Sequence, residues 1–300
     1  MKKIKIKSRA SRSSPIRRSS RWAVPILLGP SLAGVAVFDL LPFLEVIRRS
    51  FTDAMGKKFV GVLNYQTVLK NQAFRLASAN TARFLCVCIP ALLLLSLILA
   101  LLVRGAGKKG SLFKTSFLLP MAVPVASIVL LWRVLFANTG LCNTLLQSIG
   151  ATPVDFMGTG AAFWVLIATY LWKNSGYDMI LWIAGLERIP KQQYEAAAVD
   201  GANAWKMFRF ITLPGLAPTL GLTALLSLIN SFKVFREAYL VAGQYPHESM
   251  YLLQHLFNNW FLNLELGRIT AAAVLVVGMM LAAVSLFFGL KALLKRRKDP

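Results

Sequence analysis

Residues 84–103 read FLCVCIPALLLLSLILALLV, an unbroken run without Asp, Glu, Lys or Arg. At 1.5 Å of rise per residue, a helix of that length covers about 30 Å, the thickness of a bilayer's hydrocarbon core. Working outward, residues 115–132 and 269–290 are also free of charge, and a first apolar run occupies 23–46. The whole chain agrees: of 300 residues, 56% are hydrophobic and only 15% charged, with mean hydropathy +0.59. That composition leaves too little polar surface for a water-soluble fold of this size. The sequence therefore predicts an all-α integral membrane protein.

Two further runs carry charge. Residues 161–185 are interrupted by Lys173 and Asp178, and residues 216–241 carry Lys233, Arg236 and Glu237 toward their end. Counting both, six transmembrane helices are expected. Pro90, Pro120 and Pro124 fall inside the second and third, where the backbone groups they free must be satisfied by neighbouring helices or water. The run at 23–46 is too long for a signal-peptide core and no small-x-small cleavage site follows, so it reads as an uncleaved first helix. Asp39 is expected at an interfacial position near its outer end, reached by tilting.

Three segments result: a basic tail at 1–22, too poor in apolar residues to bury a core, a membrane domain at 23–291, and a basic C-terminus at 292–300. The net charge of +22 does not indicate nucleic acid, because the cations are divided among short segments between apolar runs instead of forming one face. Membrane lipid is the expected surroundings. With the N-terminus inside, 22 Lys and Arg lie on the cytoplasmic side and 11 outside, which places both termini in the cytoplasm. Seven cations between residues 48 and 83 run against that rule. Cys86 and Cys88 lie two apart in an apolar run, turned to nearly opposite sides of a helix, and read with Cys142 as core thiols instead of a metal or redox site.

Between the fourth and fifth runs, residues 185–214 are helix-forming but not membrane-spanning. Residues 192–199 contain strong helix formers, and their alanines let another surface approach the backbone closely. Gly201 suits a C-terminal turn, and a second short helix is expected over 202–210, bounded by Pro214 and Pro218. The unit reads as helix, turn, helix on the inner membrane face. Taken alone, it is also compatible with an amphipathic helix lying on the membrane, anchored by Tyr194, Trp205 and Phe208.

Glu195-Ala196-Ala197, then Gly201, then Ile211-Thr212-Leu213-Pro214 resembles the EAA loop of membrane subunits in binding-protein-dependent ABC importers. The resemblance extends to Phe59-Val60-Gly61-Val62-Leu63-Asn64-Tyr65, Phe117-Leu118-Leu119-Pro120 with Val123-Pro124, and Trp132-Arg133. It continues through Ala184-Gly185-Leu186 with Ile189-Pro190, and Ser231-Phe232-Lys233-Val234-Phe235. This ordered agreement is similar to the carbohydrate-uptake branch, the maltose and glycerol-3-phosphate type. The chain departs from it at Val241-Ala242-Gly243-Gln244-Tyr245-Pro246, where relatives often carry a run of glycines.

The resemblance implies that Glu195, Ala196, Ala197, Gly201, Ile211, Leu213 and Pro214 form a cytoplasmic coupling helix and its support, docked in a groove of a separate ATPase. It further implies two ATPase chains, a second, different permease subunit, an external or periplasmic solute-binding protein, and a bacterial cell-membrane location. The solute would be a small polar molecule, a sugar or oligosaccharide, moved by alternating access. No Walker A sequence occurs, so ATP and Mg belong to the partner ATPase and this chain binds no cofactor. No catalytic or metal residues stand out: His247-Glu248 opens a zinc-like pattern, but Tyr251 stands where its second histidine would be, and His255 reads as an ordinary polar group outside the membrane.

Ionisable residues within a span cost roughly 2.5–3.5 kcal/mol on insertion scales and should face the bundle interior or a water-filled path. Lys173, Asn174 and Asp178 either line that path or snorkel to an interface. Lys173 and Asp178 stand about 140° apart on an ideal helix, so a direct pair requires the backbone to loosen at Gly176. Asn230, Lys233 and Arg236 recur every three residues and form a polar stripe suited to a sugar's hydroxyls. Two other classes compete. An ion-coupled secondary transporter predicts inverted repeats, and a membrane-embedded enzyme predicts clustered His, Asp or Glu at the surface. Neither pattern is found in the sequence.

Overall fold

The computed structural model describes residues 23–296. The basic tail 1–22 and the last four positions of the C-terminal segment lie outside the described residues. Among those described, regular structure is helical apart from one antiparallel bridge, Thr52 with Phe59.

The chain begins with α1 (Ala23–Val35), a π-turn (Ala36–Leu40) and α2 (Leu41–Ser50), followed by short α3 (Leu63–Lys70) and long α4 (Gln72–Gly105). Next come α5 (Gly110–Ala122), α6 (Val125–Phe136), α7 (Leu141–Ser148) and α8 (Ala161–Glu187). Then α9 (Lys191–Val199), α10 (Ala204–Met207) and α11 (Leu213–Gly215) lead into α12 (Ala217–Ser231), a 3-10 turn (Phe232–Val234) and α13 (Phe235–Ala242). α14 (Leu253–Leu262) and α15 (Leu266–Arg296) complete the order.

Among the described residues, five stretches are long and apolar enough to cross a membrane: Leu28–Ser50, Gln72–Gly105, Val125–Ser148, Ala217–Ala242 and Leu266–Ser285. α8, the expected fourth span, is not among them. Its 27 residues cover about 40 Å, but Lys173, Asn174 and Asp178 lower its hydropathy. It is instead an interior helix with fifteen buried residues, and its longest packing partner among the described residues is α4. A helix enclosed by other helices does not need an apolar face toward lipid.

Along α4 the buried positions are Phe74, Ala77, Thr81, Phe84, Cys88, Leu92, Ser96, Ala100 and Val103, a stripe with the three-four spacing of one helix face. Cys86 and Cys88 do take opposite sides of α4, but only Cys88, in that stripe, is a core thiol: Cys86 is exposed and Cys142 half-buried, against the reading of all three as core thiols. The stripe passes through three packed clusters. At one end Phe74 and Ala77 meet Val68 of α3, Leu256 and Trp260 of α14, and Ala271 and Ala272 of α15. In the middle Phe84, Cys88 and Leu92 meet Phe163, Leu166 and Tyr170 of α8 with Val234 and Ala238. At the far end Ala100 and Val103 meet Met179, Trp182, Ile183 and Leu186, with Ile189 and Leu216.

Lipid tails are as apolar as Leu, so helices in a membrane associate through close packing and interhelical hydrogen bonds. Trp182 Nε1 donates to Ser96 Oγ at 3.0 Å across α8 and α4. Gly176 lets α5 cross α8 so closely that a Cβ there would lie 1.9 Å from Phe117 O, and a Cβ on Gly185 would lie 2.4 Å from Thr219 Oγ1 of α12. α8 runs unbroken through Gly176, so this glycine serves a helix crossing and not a loosened backbone.

The expected third span, 115–132, is broken. Pro120 lies within α5, but Pro124 does not lie within a helix: Val123 is extended at φ −69°, ψ 126°, and Pro124 caps α6. A proline ring clashes with a helical residue before it, which accounts for the stop at Val123. Asp39 also differs from expectation. The helical run continues to Ser50, so Asp39 sits in the mid-run π-turn and not near the outer end. From residue 28 to residue 44 no residue is buried, whereas the end of α2 packs on α15 and buries Ser50, so the first part of this run presents its surface away from its own chain.

Candidate functional site

Two regions carry the chemistry. The first is the segment between α8 and α12. α9 has no buried residue: Glu195 and Ala196 are exposed and Ala197 is half-buried. It ends in a Schellman turn. Ala202 N–H donates to Ala197 O at 2.9 Å, Gly201 N–H donates to Ala198 O at 3.1 Å, and Gly201 is left-handed at φ +72°. No atom lies within 4 Å of where a Gly201 Cβ would point, so φ alone demands glycine. Asn203 then caps α10, its side-chain oxygen accepting from Lys206 N–H at 2.9 Å.

The second helix of this unit departs from expectation. α10 passes into a π-turn (Phe208–Thr212) and then α11, and Pro214 and Pro218 sit in the first turns of α11 and α12 instead of bounding a separate helix. A proline's missing N–H is no loss in a first turn, where that donor has no intrahelical partner. The segment is tied back to the bundle through Tyr194, whose hydroxyl hydrogen-bonds Thr212 Oγ1 at 2.8 Å and whose ring lies 5.8 Å from the Arg104 guanidinium. Ile211 packs on the same cluster, while Leu213 and Pro214 are exposed. Beyond this tie the outward face is apolar and bare: Val199 is 89% exposed, Trp205 67% and Phe210 73%.

The second region is a polar seam between α8 and the α12–α13 run. Lys173 makes an ion pair with Glu237. Asn174 Nδ2 donates to Tyr170 O at 2.9 Å, and Tyr170 OH donates to Ser227 O at 2.8 Å. Lys233 Nζ donates to Asn230 Oδ1 at 2.8 Å on the outward side. Lys173, Asn174 and Asn230 border one small polar cavity of about 30 Å³ with Thr169, Tyr170, Val234 and Glu237. Asp178 is elsewhere, closed between α8 and α12 and accepting from Ser227 Oγ at 2.6 Å. Lys233 and Arg236 are exposed, so the stripe of three divides, with only Asn230 reaching the cavity.

Glu237 was noted only as a charge within the fifth run, and Thr169, Tyr170 and Ser227 were not singled out in the sequence. A signal for Glu237 existed: a lone carboxylate in the fifth run needs a cation, and Lys173 is the cation inside the fourth. Glu237 follows Arg236 by one residue, about 100° around the helix, which takes it off the polar stripe.

Known proteins resemble the chain along most of its length. Residues 93–300 match the family model described as "Binding-protein-dependent transport system inner membrane component". The trehalose/maltose transport system permease protein MalF of Thermococcus litoralis is 30% identical over 263 residues, covering 86% of this chain and 89% of the relative. The arabinooligosaccharides transport system permease protein AraP of Bacillus subtilis is 34% identical over 234 residues, covering 74% and 73%. Among solved structures, a bacterial ABC transporter involved in import of the acidic polysaccharide alginate has a chain of the same fold. Its TM-score is 0.76 at 23% identity, covering 89% of this chain and 93% of that one.

Proposed function

From the chain's membership in the family of binding-protein-dependent transport system inner membrane components, as a multi-pass permease subunit and not an enzyme, we propose its role in the assembled machine. It forms half of a path for a sugar or oligosaccharide, opened alternately to the two sides of the membrane. α9 is the coupling helix, seated in a groove of a separate ATPase that binds ATP and Mg. The complete importer has two such ATPases, a second and different permease subunit, and an external solute-binding protein. The sugar assignment is supported by relatives whose names specify maltose, trehalose and arabino-oligosaccharide transport.

The observation that carries this reading is the segment Lys191–Val199 with its glycine turn. A helix with no buried residue, ended by a turn only glycine adopts easily and flanked by bare Val199, Trp205 and Phe210, is built for another protein's surface. Tyr194 and Thr212 link it to the bundle, so force applied at α9 reaches α8 and α12. A second membrane chain is supported by the bare surface of residues 28–44, and by a polar cavity of about 30 Å³ where ligand pockets run from roughly 300 Å³. One chain forms one wall of the path.

In this arrangement six spans cross the membrane with both termini inside, α8 being the fourth. The cations between residues 48 and 83, which oppose that orientation, are partly occupied. Arg48 and Arg49 both pair with Glu45, and Arg83 lies 4.5 Å from the Phe163 ring. Affinity purification of the tagged chain in mild detergent tests the reading. An ATPase and a second permease should accompany the wild-type chain, and the ATPase should be lost on Gly201→Glu. Recovery without an ATPase, in detergent that preserves other complexes, overturns it.

A further inference from the structure

The Lys173–Glu237 pair is only half explained by its own geometry. One Glu237 oxygen meets Lys173, while the other, Oε2, is buried without a hydrogen-bond partner. Leaving a buried acceptor unmet costs roughly 1–3 kcal/mol, and more for a charged group. Both side chains border the polar cavity, whose volume of about 30 Å³ has room for water-sized groups and so admits a hydroxyl oxygen but no sugar ring. Asn174 also borders the cavity and commits one of its two amide N–H donors to Tyr170 O.

We infer that this cavity reads hydroxyl groups of the solute: Glu237 Oε2 accepts from one sugar hydroxyl while the Lys173 ammonium donates to a neighbouring one. Glu237 is then a specificity-determining residue, a role that deepens the sugar-importer reading and rests on it. The charges support this choice of ligand. Lys173 and Glu237 neutralise each other, so the pair attracts neither an anion nor a cation, yet it offers one strong donor and one strong acceptor side by side. Adjacent hydroxyls on a sugar ring present that combination. The 3-10 turn Phe232–Val234 beside the cavity separates α12 from α13, and short 3-10 stretches within helices often mark hinges, so α13 can move against α8 to widen the site.

The competing role is a structural tie between α8 and α13, and a double variant separates the two. Replacing a buried ion pair by apolar residues of similar size is often neutral or stabilising, so Lys173→Met with Glu237→Leu preserves a tie but abolishes recognition. Uptake of labelled maltose, trehalose, lactose and arabino-oligosaccharide is measured in vesicles carrying the full complex with its binding protein, and the sugar best carried by wild type serves as the probe. The double variant should co-purify its ATPase. Its apparent KM should rise at least about tenfold, the size expected for losing a hydrogen bond to a charged group, and the ranking among the four sugars should flatten. Glu237→Gln, which keeps an acceptor, should raise KM less. Wild-type KM and ranking in the double variant overturn the inference, as does failure to assemble, which makes the pair a structural tie. If the wild-type complex carries none of the four sugars, the sugar reading falls and this inference with it.

Discussion

The proposed coupling segment and the polar seam are opposite solutions in one chain. Around α9, the proposed function lies in what is left bare: no residue of the helix is buried, and its turn is fixed by one backbone angle, Gly201 at φ +72°. In the seam, the proposed function lies in what is enclosed: Lys173 and Glu237 stand 64 residues apart in sequence and meet only when α8 lies beside the α12–α13 run. A docking surface can be written locally, because its partner supplies the other half. A buried site needs two distant segments to agree on register, depth and rotation.

Substitutions can break this contrast, and the largest effects belong to glycine. Gly201→Glu should abolish uptake while leaving membrane insertion intact, because a charged side chain points into the bare space the ATPase would occupy. Gly201→Ala should cost less, about 1–2 kcal/mol for a left-handed alanine, and retain part of the uptake. Equal loss in the two variants would show that turn strain, not occupied space, decides docking.

Gly176→Val should act on the bundle. With a Cβ 1.9 Å from Phe117 O, α5 must leave α8, and the yield of monodisperse protein in detergent should fall severely. A wild-type yield would mean that this crossing is not formed.

Lys173→Met alone should be worse than the double variant, because it strands the Glu237 carboxylate. Breaking one side of a buried pair costs about 3–5 kcal/mol, and a detergent melting curve should show the single variant well below the double. Tyr194→Phe should be milder, removing the 2.8 Å hydrogen bond to Thr212 at about 0.5–1.5 kcal/mol. Its expected signature is lower uptake per ATP hydrolysed with the ATPase still bound, and an unchanged ratio would remove Tyr194 from the transmission route.

The smallest effect concerns His255 on α14, outside the spans. Its ring is fully buried against Phe235 and Tyr251, its Nδ1 accepts from Leu252 N–H, and burial pushes its pKa down to about 4 from 6.5. An unfolded histidine protonates near pH 6.5 while the folded one resists, so this contribution is complete above 6.5 and lost as pH falls toward 4. Melting temperatures at pH 7.5 and 5 should drop more for wild type than for His255→Gln.

Much of the coupling segment was legible beforehand because its signals are local: alanines that permit close approach, a glycine after the helix, and a motif with fixed spacing. The internal geometry of its second helix was not, since Pro214 and Pro218 read as boundaries until the chain places them in first turns. The break at Pro124 was readable in principle from the conformation a proline imposes on its predecessor, but an unbroken apolar run outweighed it. In the seam, Lys173, Asn174 and Asn230 were found as costly polar residues in apolar helices, whereas their sorting was not. Asp178 turns to Ser227, Arg236 stays outside the cavity, and Glu237 enters it.

The sequence by itself determined that this chain lives in a membrane as a helical permease and where its exposed glycine turn lies, because hydropathy, helix length and the glycine's backbone freedom act over one to thirty residues. Only the tertiary structure decided that α8 can be polar because it is interior, that Gly176 is a crossing point, and that Glu237 answers Lys173. Those outcomes depend on which faces of distant helices meet, and helix rotation and depth are set by packing of the whole bundle.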